Sequence, residues 1–447
     1  MSVCRLLVLA ALVQAAAALP ARAEPVLLIS IDGLRPLDVI EASARGLKLP
    51  NLARFVAQGT YATGVRGVLP TVTYPSHATL ITGASPARHG IVGNTSFDPL
   101  QINQDGWFWY ASDYRVPTLW QAARRGGHKV ANVHWPVSVG AQGIAWNLPQ
   151  IWRTGHADDA KLLTALASPG LVEALERETG ELYPQGIDES IESDERRGRF
   201  AARLIATRRP GFVTVYFAAL DHHEHESGPG SAAAHAVLER LDAVVGRLVE
   251  AQFKAHRDGV VVVVSDHGFE PVSRETSLFK AFIEAGLIQL DTAGKIRAWQ
   301  AMPWTEGGSA AVVLARPNDA ALAAQVKALL EGLMANPASG IERIADRGAI
   351  AVLGGNPQAS FYVNFRSGWG AADLGAGQGR LFEAAQGKGT HGHFPLAPSL
   401  HSTFMVMGRG VPRGKVLGEI DMRAIAPTIA RILKVELEDA ELPALAF

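Results

Sequence analysis

Three short segments concentrate the residues able to hold a divalent metal: Asp221-His-His-Glu-His225, Asp266-His267-Gly268 and Gly389-Thr-His391-Gly-His393. Asp221 and His225 stand four apart, so one helical turn or a tight loop can aim both at a single ion. His222, His223 and Glu224 read as the solvated remainder of that segment. Asp266 and His267 follow five valines, and Asp32 follows the run Val26 to Ile31. A carboxylate delivered to a buried strand end is costly unless it is paired or bound to a metal. A hydroxyl completes the set. In Leu69-Pro-Thr-Val-Thr-Tyr-Pro-Ser-His77, Thr73 precedes a helix that Pro75 is suited to start. The free N–H groups and positive dipole end of such an entrance suit a phosphate, and nearby metals would activate the hydroxyl. Spacing does not choose between Thr71 and Thr73, or between His391 and His393.

These residues need a scaffold that gathers strand ends. Pro25 to Ile31, Lys129 to Trp135, Gly211 to Phe217, Gly259 to Val264, Ala310 to Leu314 and Ser402 to Met407 are apolar, β-branched runs. Runs of this kind read as strands buried on both faces of a parallel sheet. Helical patterns lie between them at Thr118 to Arg125, Ala232 to His256, Leu278 to Ala285, Ala320 to Leu333 and Met422 to Leu433. The alternation predicts an α/β fold with a doubly wound, mostly parallel central sheet flanked by helices. In such folds sites form at the carboxyl ends of strands, where Asp32, Asp221, Asp266 and His267 fall. Residues 275 to 385 carry few candidate ligands and are expected to form an inserted smaller subdomain. Pro99 to Arg115 is aromatic and irregular, and Gly368 to Gly379 reads as a surface loop.

The chain has 447 residues, 48% of them hydrophobic, and a formal net charge of -1. It can bury a large core, and it lacks the basic excess of a nucleic-acid or membrane-surface binder. Residues 1 to 23 have the form of a secretory signal. Arg5 is followed by an apolar run from Leu6 to Leu19, then Ala21-Arg22-Ala23 as a cleavage pattern. The mature chain would start at Glu24, without a stable membrane anchor, in a bacterial periplasm or outside the cell. The single cysteine, Cys4, lies inside that segment. Residues 24 to 447 therefore offer no thiolate, and histidines and carboxylates must hold any metal.

Ile31-Asp32-Gly33-Leu34-Arg35, Pro70-Thr-Val-Thr73-Tyr-Pro-Ser-His77, His89-Gly90-Ile91-Val-Gly-Asn94, Asp221-x-x-x-His225, Ser265-Asp266-His267-Gly268 and Thr390-His391-Gly392 resemble, in order, the nucleotide pyrophosphatase/phosphodiesterase family of the alkaline phosphatase superfamily. The resemblance implies an alkaline phosphatase-like catalytic domain over 24–447 and two zinc ions. Asp221, His225 and His391 would hold one zinc, and Asp32, Asp266, His267 and the oxygen of Thr73 the other. Thr73 is thereby the implied nucleophile, through a phosphothreonyl intermediate. Asn94, with the backbone N–H at the helix entrance, would bind a phosphoryl oxygen. Tyr74 and Tyr216 match positions where aromatic residues sandwich a nucleotide base, with Tyr74 expected to be exposed; His77 is assigned to packing.

The implied substrate is a small phosphodiester, a nucleotide that would release a nucleoside 5′-monophosphate, rather than a nucleic-acid duplex. Asn94, a neutral donor, suits a singly charged diester. An alkaline phosphomonoesterase, a phosphonoacetate hydrolase and a periplasmic metal- or phosphate-binding module without turnover are the competing expectations.

Overall fold

The computed structural model describes residues 23–103, 106–152, 156–184, 188–373 and 379–447. The signal segment and Cys4 thus lie outside the described residues, save Ala23, as does part of the expected loop from Gly368 to Gly379. Among the described residues no helix is long and apolar enough to cross a membrane.

Eight strands form the central sheet. From one edge to the other they run Lys415–Val416, Thr60–Tyr61, Phe404–Gly408, Val260–Val264, Val26–Ile31, Phe212–Phe217, Val130–Val133 and Trp146–Leu148. The five from Val260–Val264 to Trp146–Leu148 are mutually parallel. Their apolar runs are continuous because both faces are covered. Leu27, Ile29 and Ile31 enter a core with the helices Ile191–Arg208 and Ala232–Ala255, while Val26 and Leu28 enter a second core with Leu119–Arg125 and Ile425–Leu433. The five valines of Val260–Val264 are fully buried, each contributing about 1.5–3 kcal/mol of burial energy as an upper figure. Helices on both faces of a mostly parallel sheet make the doubly wound α/β architecture.

Three details differ from the expectation, one being that Gly368–Ala371, expected to lie in a surface loop, is a mostly buried strand. Phe404–Gly408 is a strand, but it runs antiparallel to Val260–Val264. The run at Ala310 to Leu314 lies outside the central sheet. Its strand, Ser309–Leu314, belongs to a separate antiparallel sheet with Ala301–Thr305, Phe361–Phe365 and Ile341–Asp346. The helices Leu278–Glu284 and Ala320–Met334 share a core with that sheet through Phe282, Leu322, Val326, Val312 and Val363. The strand Glu270–Thr276 joins this unit to the main sheet region, pairing with Gly368–Ala371, Phe382–Ala384 and Gly389–Thr390.

Candidate metal centre

Three adjacent parallel strands deliver three carboxylates to one place. Val260–Val264 ends in Ser265-Asp266-His267, Val26–Ile31 ends in Asp32, and Phe212–Phe217 leads into the helix Ala219–Ser227, which carries Asp221 and His225. Neighbouring strands lie about 4.8 Å apart, so residues at the same level of adjacent strands come within reach of shared ions. The helix start is held by Asp194, whose carboxylate accepts the Ala219 N–H at 2.8 Å while pairing with buried Arg197 at 2.8 Å. His391 arrives from the segment after the antiparallel sheet. Gly392 has φ +89°, and a Cβ there would sit 1.6 Å from the Glu306 carbonyl oxygen. Only glycine permits that close turn between His391 and His393.

Asp32 and Asp266 each have one oxygen engaged by the protein and one directed at its neighbours. Asp32 Oδ2 accepts the Tyr216 hydroxyl at 2.5 Å, and Asp266 Oδ1 accepts the Gly33 N–H at 3.2 Å. Asp221 Oδ2 lies 3.5 Å from His225 Nε2. Asp32 Oδ1, Asp266 Oδ2, Asp221 Oδ1 and His267 Nε2 are buried without a hydrogen-bond partner. His267 Nε2 is 3.2 Å from Asp32 Oδ1, 3.1 Å from Asp266 Oδ2 and 3.9 Å from Asp221 Oδ1, while His391 Nε2 is 3.6 Å from Asp221 Oδ1. The rings of His267 and His391 stack at 3.6 Å, and His225 lies 5.0 Å from His391.

The electrostatics suit a cation. Burial, then the Asp266 charge, pushes the Asp32 carboxyl well up. Burial and then Asp32 do the same to Asp221, and burial raises Asp266 to about 7. No lysine or arginine pairs with these three carboxylates among the described residues. Burial keeps His267 and His391 below the usual imidazole value and brings His225 to about 4, so all three rings are neutral at pH 7. Their Nδ1 atoms face the carbonyls of Gly268, Thr71 and Gly389 at 3.2, 3.0 and 3.0 Å. A carbonyl only accepts, so each Nδ1 carries the proton and each Nε2 keeps its lone pair for a metal. Buried unpartnered oxygens beside such nitrogens fit a bound metal ion. The ligand atoms fall into two overlapping groups, Asp221–His267–His391 and Asp32–Asp266–His267.

The helix Thr73–Thr82 opens beside this cluster, with Val72 extended just before it. Asn94 Oδ1 accepts the Tyr74 N–H at 2.9 Å, and residue 75 is proline. His89 steadies the Asn94 loop, with Nε2 at 3.1 Å from the Thr79 hydroxyl and Nδ1 accepting the Ile91 N–H at 3.1 Å. Thr71 is committed elsewhere, since its hydroxyl donates to the His393 carbonyl at 2.8 Å. His393 is buried beside Glu270; neither it nor His225 is part of the two ligand groups, but His225 Nε2 lies 3.5 Å from Asp221 Oδ2. His77, assigned to packing, also holds the helix entrance in place. Its Nδ1–H donates to the Thr73 carbonyl and its Nε2 accepts the Ser30 hydroxyl, both at 2.8 Å.

Three expectations are corrected. Tyr74 is buried rather than exposed, packed with Ile91, Ala78 and Val137 and 5.3 Å from the ring of Trp107. Tyr216 presents no face to a base. His77 closes on its ring edge-on at 4.8 Å, His134 stacks on it at 5.8 Å, and its hydroxyl is on Asp32. Glu224 is buried too, 3.6 Å from Arg35, instead of solvated. The aromatic surface lies elsewhere. A cavity of about 840 Å³ reaches His225, His391 and Asn94, and its walls include Phe97, Trp107, Trp152 and Trp304. Sequence reasoning marked Pro99 to Arg115 as aromatic without giving it a role. It also missed Glu306, whose buried carboxyl faces the Asn94 N–H.

Known proteins resemble this chain in sequence and in fold. Rat ectonucleotide pyrophosphatase/phosphodiesterase family member 3 is 26% identical over 260 residues, covering 56% of this chain and 25% of the relative. Human family member 1 is 27% identical over 257 residues, covering 55% and 24%. The chain thus spans a quarter or less of the length that those relatives have. Among solved structures, human ectonucleotide pyrophosphatase/phosphodiesterase 5 superposes with a TM-score of 0.66 at 18% identity, over 95% of this chain and 97% of the other. An inactive threonine-to-alanine variant of the murine protein, in complex with AMP, superposes with a TM-score of 0.65 at 18% identity, over 95% and 97%. A sequence model described as type I phosphodiesterase / nucleotide pyrophosphatase matches residues 26–351, and the chain belongs to that family.

Proposed function

We propose that this protein is an exported phosphodiesterase/nucleotide pyrophosphatase using two zinc ions and a phosphothreonyl intermediate on Thr73. One observation carries the reading: buried, unpartnered ligand atoms of Asp32, Asp221, Asp266 and His267 meet beside the helix entrance that presents Thr73. Asp221, His225 and His391 would hold one metal, and Asp32, Asp266, His267 and Thr73 the other. When bound, such ions lower the pKa of a coordinated hydroxyl or water and neutralise charge on attacking and leaving oxygens.

The chain's own residues supply the rest. His77 holds the Thr73 carbonyl and so fixes the backbone that carries the hydroxyl. Asn94, with its amide oxygen anchored on the Tyr74 N–H, keeps its NH2 group for a non-bridging phosphoryl oxygen. Attack by Thr73 Oγ1 forms the O–P bond as the leaving-group O–P bond breaks. Water then hydrolyses the ester and returns the threonine. A nucleotide is the substrate that the AMP complex of the murine relative suggests, with residues 275 to 385 as an inserted subdomain walling the cavity. Export through residues 1 to 23 would place the enzyme in the periplasm or outside the cell.

The test is hydrolysis of p-nitrophenyl thymidine 5′-phosphate against p-nitrophenyl phosphate. The diester should be cleaved far faster, and Thr73→Ala should abolish turnover with metal content nearly intact. Equal or reversed rates would move the protein to the monoesterases. Retained activity in the variant would eliminate the covalent mechanism, and inactivity on every phosphate ester despite bound metal would leave a binding module.

A further inference from the structure

The cavity beside the ligand cluster has a charge pattern that bears on which phosphate compounds it accepts. Aromatic surface comes as two pairs, Trp107 with Trp152 at 5.4 Å between ring centres and Phe97 with Trp304 at 5.4 Å. The same cavity wall carries Asp98 and Asp373. Asp98 Oδ2 accepts the Asn103 N–H at 2.6 Å, and the exposed Asp373 accepts the Thr305 hydroxyl through Oδ1 at 3.4 Å. Among the described lining residues there is no lysine or arginine.

Charge matching gives this pattern a consequence that rests on the phosphodiesterase reading above. Two dications, the three carboxylates Asp32, Asp221 and Asp266 and the deprotonated Thr73 oxygen leave no net charge at the centre, so the wall carboxylates weigh on every negative charge a substrate adds. A nucleoside triphosphate brings further negative charges on its tail. Those charges would lie in a cavity whose fixed charges have the same sign, and like charges within about a Debye length, roughly 8–10 Å, repel. Aromatic faces, by contrast, accept a base or any flat uncharged group.

We propose that Asp98 and Asp373 bias the cavity toward phosphodiesters whose organic groups are uncharged or cationic, and disfavour substrates with a polyphosphate tail. They act as specificity residues of the site.

The experiment compares kcat/KM for p-nitrophenyl thymidine 5′-phosphate and ATP, with magnesium in excess so that ATP does not strip the site metals. A preference of at least tenfold for the diester is expected at low ionic strength, shrinking as salt is added. The variant Asp98→Asn/Asp373→Asn should lower that preference ratio at least fivefold. Calorimetric titration of ATP into the Thr73→Ala protein should show tighter binding when both aspartates are replaced, a readout independent of turnover. Equal or faster hydrolysis of ATP by the unmodified enzyme overturns the selectivity while leaving the phosphodiesterase reading in place. A preference ratio and an ATP affinity that do not move in the double variant overturn the role of the two aspartates. Failure to hydrolyse either compound removes the phosphodiesterase reading and the selectivity with it.

Discussion

Replacing Tyr216 by phenylalanine removes one oxygen, and the structure says what that oxygen does. It donates to Asp32 Oδ2 at 2.5 Å inside a site from which water is excluded. The bond favours the ionised form of Asp32, opposing the burial that pushes its carboxyl up. A metal must displace the proton from Asp32, so losing the phenol weakens metal binding in two ways. One carboxylate oxygen loses its partner, and the competing proton is held more tightly. Hydrogen bonds to charged groups contribute about 1.5–3 kcal/mol, which at 1.4 kcal/mol per decade is a loss of roughly ten- to a hundredfold in metal affinity. That range agrees with the usual cost of deleting a group that orients a metal ligand. In the metal-free protein burial favours the neutral form of Asp32, and a hydrogen bond to a neutral group contributes less, so stability there should fall by only about 1 kcal/mol.

The assay is zinc competition against a chromophoric chelator at pH 7, with urea unfolding of loaded and metal-free protein alongside. Tyr216→Phe keeps the ring, so a role in stacking a nucleotide base would leave affinity untouched. An affinity within twofold of the unmodified protein would refute the reasoning.

Two further outcomes are expected. Asp194→Ala strands the buried Arg197 charge and frees the Ala219 N–H at the start of the ligand-bearing helix. It should cost about 3–5 kcal/mol in urea unfolding. Asp194→Ala/Arg197→Met should recover part of that loss, and equal instability of the single and double variants would contradict the buried-charge account. Metal affinity should rise steeply from pH 5 to pH 8. Asp266 titrates near pH 7 in the metal-free fold against about 4 when unfolded. Its contribution to metal-free stability is therefore fully present below about pH 4 and is lost as pH rises to about 7. Bound metal keeps the carboxylate ionised, so the stability gained on loading should grow across that window. Buried neutral His77 and His89, each held down at about 3, destabilise the fold below about pH 6.5 but cancel in the loaded-minus-free difference. Calorimetry in buffers of different ionisation enthalpy should register proton release at neutral pH, and its absence would contradict the raised carboxyls.

The parallel strands and their terminal carboxylates were legible because burial on both faces leaves an unbroken valine and isoleucine signature. An aspartate at the end of such a run stands out by its cost. Strand direction has no such signature, so the antiparallel course of Phe404–Gly408 could not be read from composition. The two tyrosines show a different limit. Tyr216 on a strand looks the same whether it stacks a base or braces a carboxylate, and the choice is made by His77, His134 and Asp32, all distant in sequence. Tyr74 follows a site residue, yet packing against Ile91 and Val137 turns it inward. The cavity's aromatic residues come from loops and from a separate sheet, and no local pattern brings Phe97 to Trp304. Glu224 reads as solvated because it stands among histidines, and only the placement of Arg35 beside it shows otherwise.

The position of Phe404–Gly408 in the sheet also governs when the protein can first work. That strand lies between Thr60–Tyr61 and Val260–Val264, so an early segment of the chain joins the centre of the sheet only through a late one. His391 also comes late, after the whole antiparallel sheet has been synthesised. A nascent chain that has not yet released residues 391 to 408 from the ribosome lacks both a ligand and the strand that closes the sheet. For a protein exported as proposed, a chain threaded out during its synthesis would leave the cytoplasm before the site could form. Metal capture would then be deferred to the compartment where the completed chain folds.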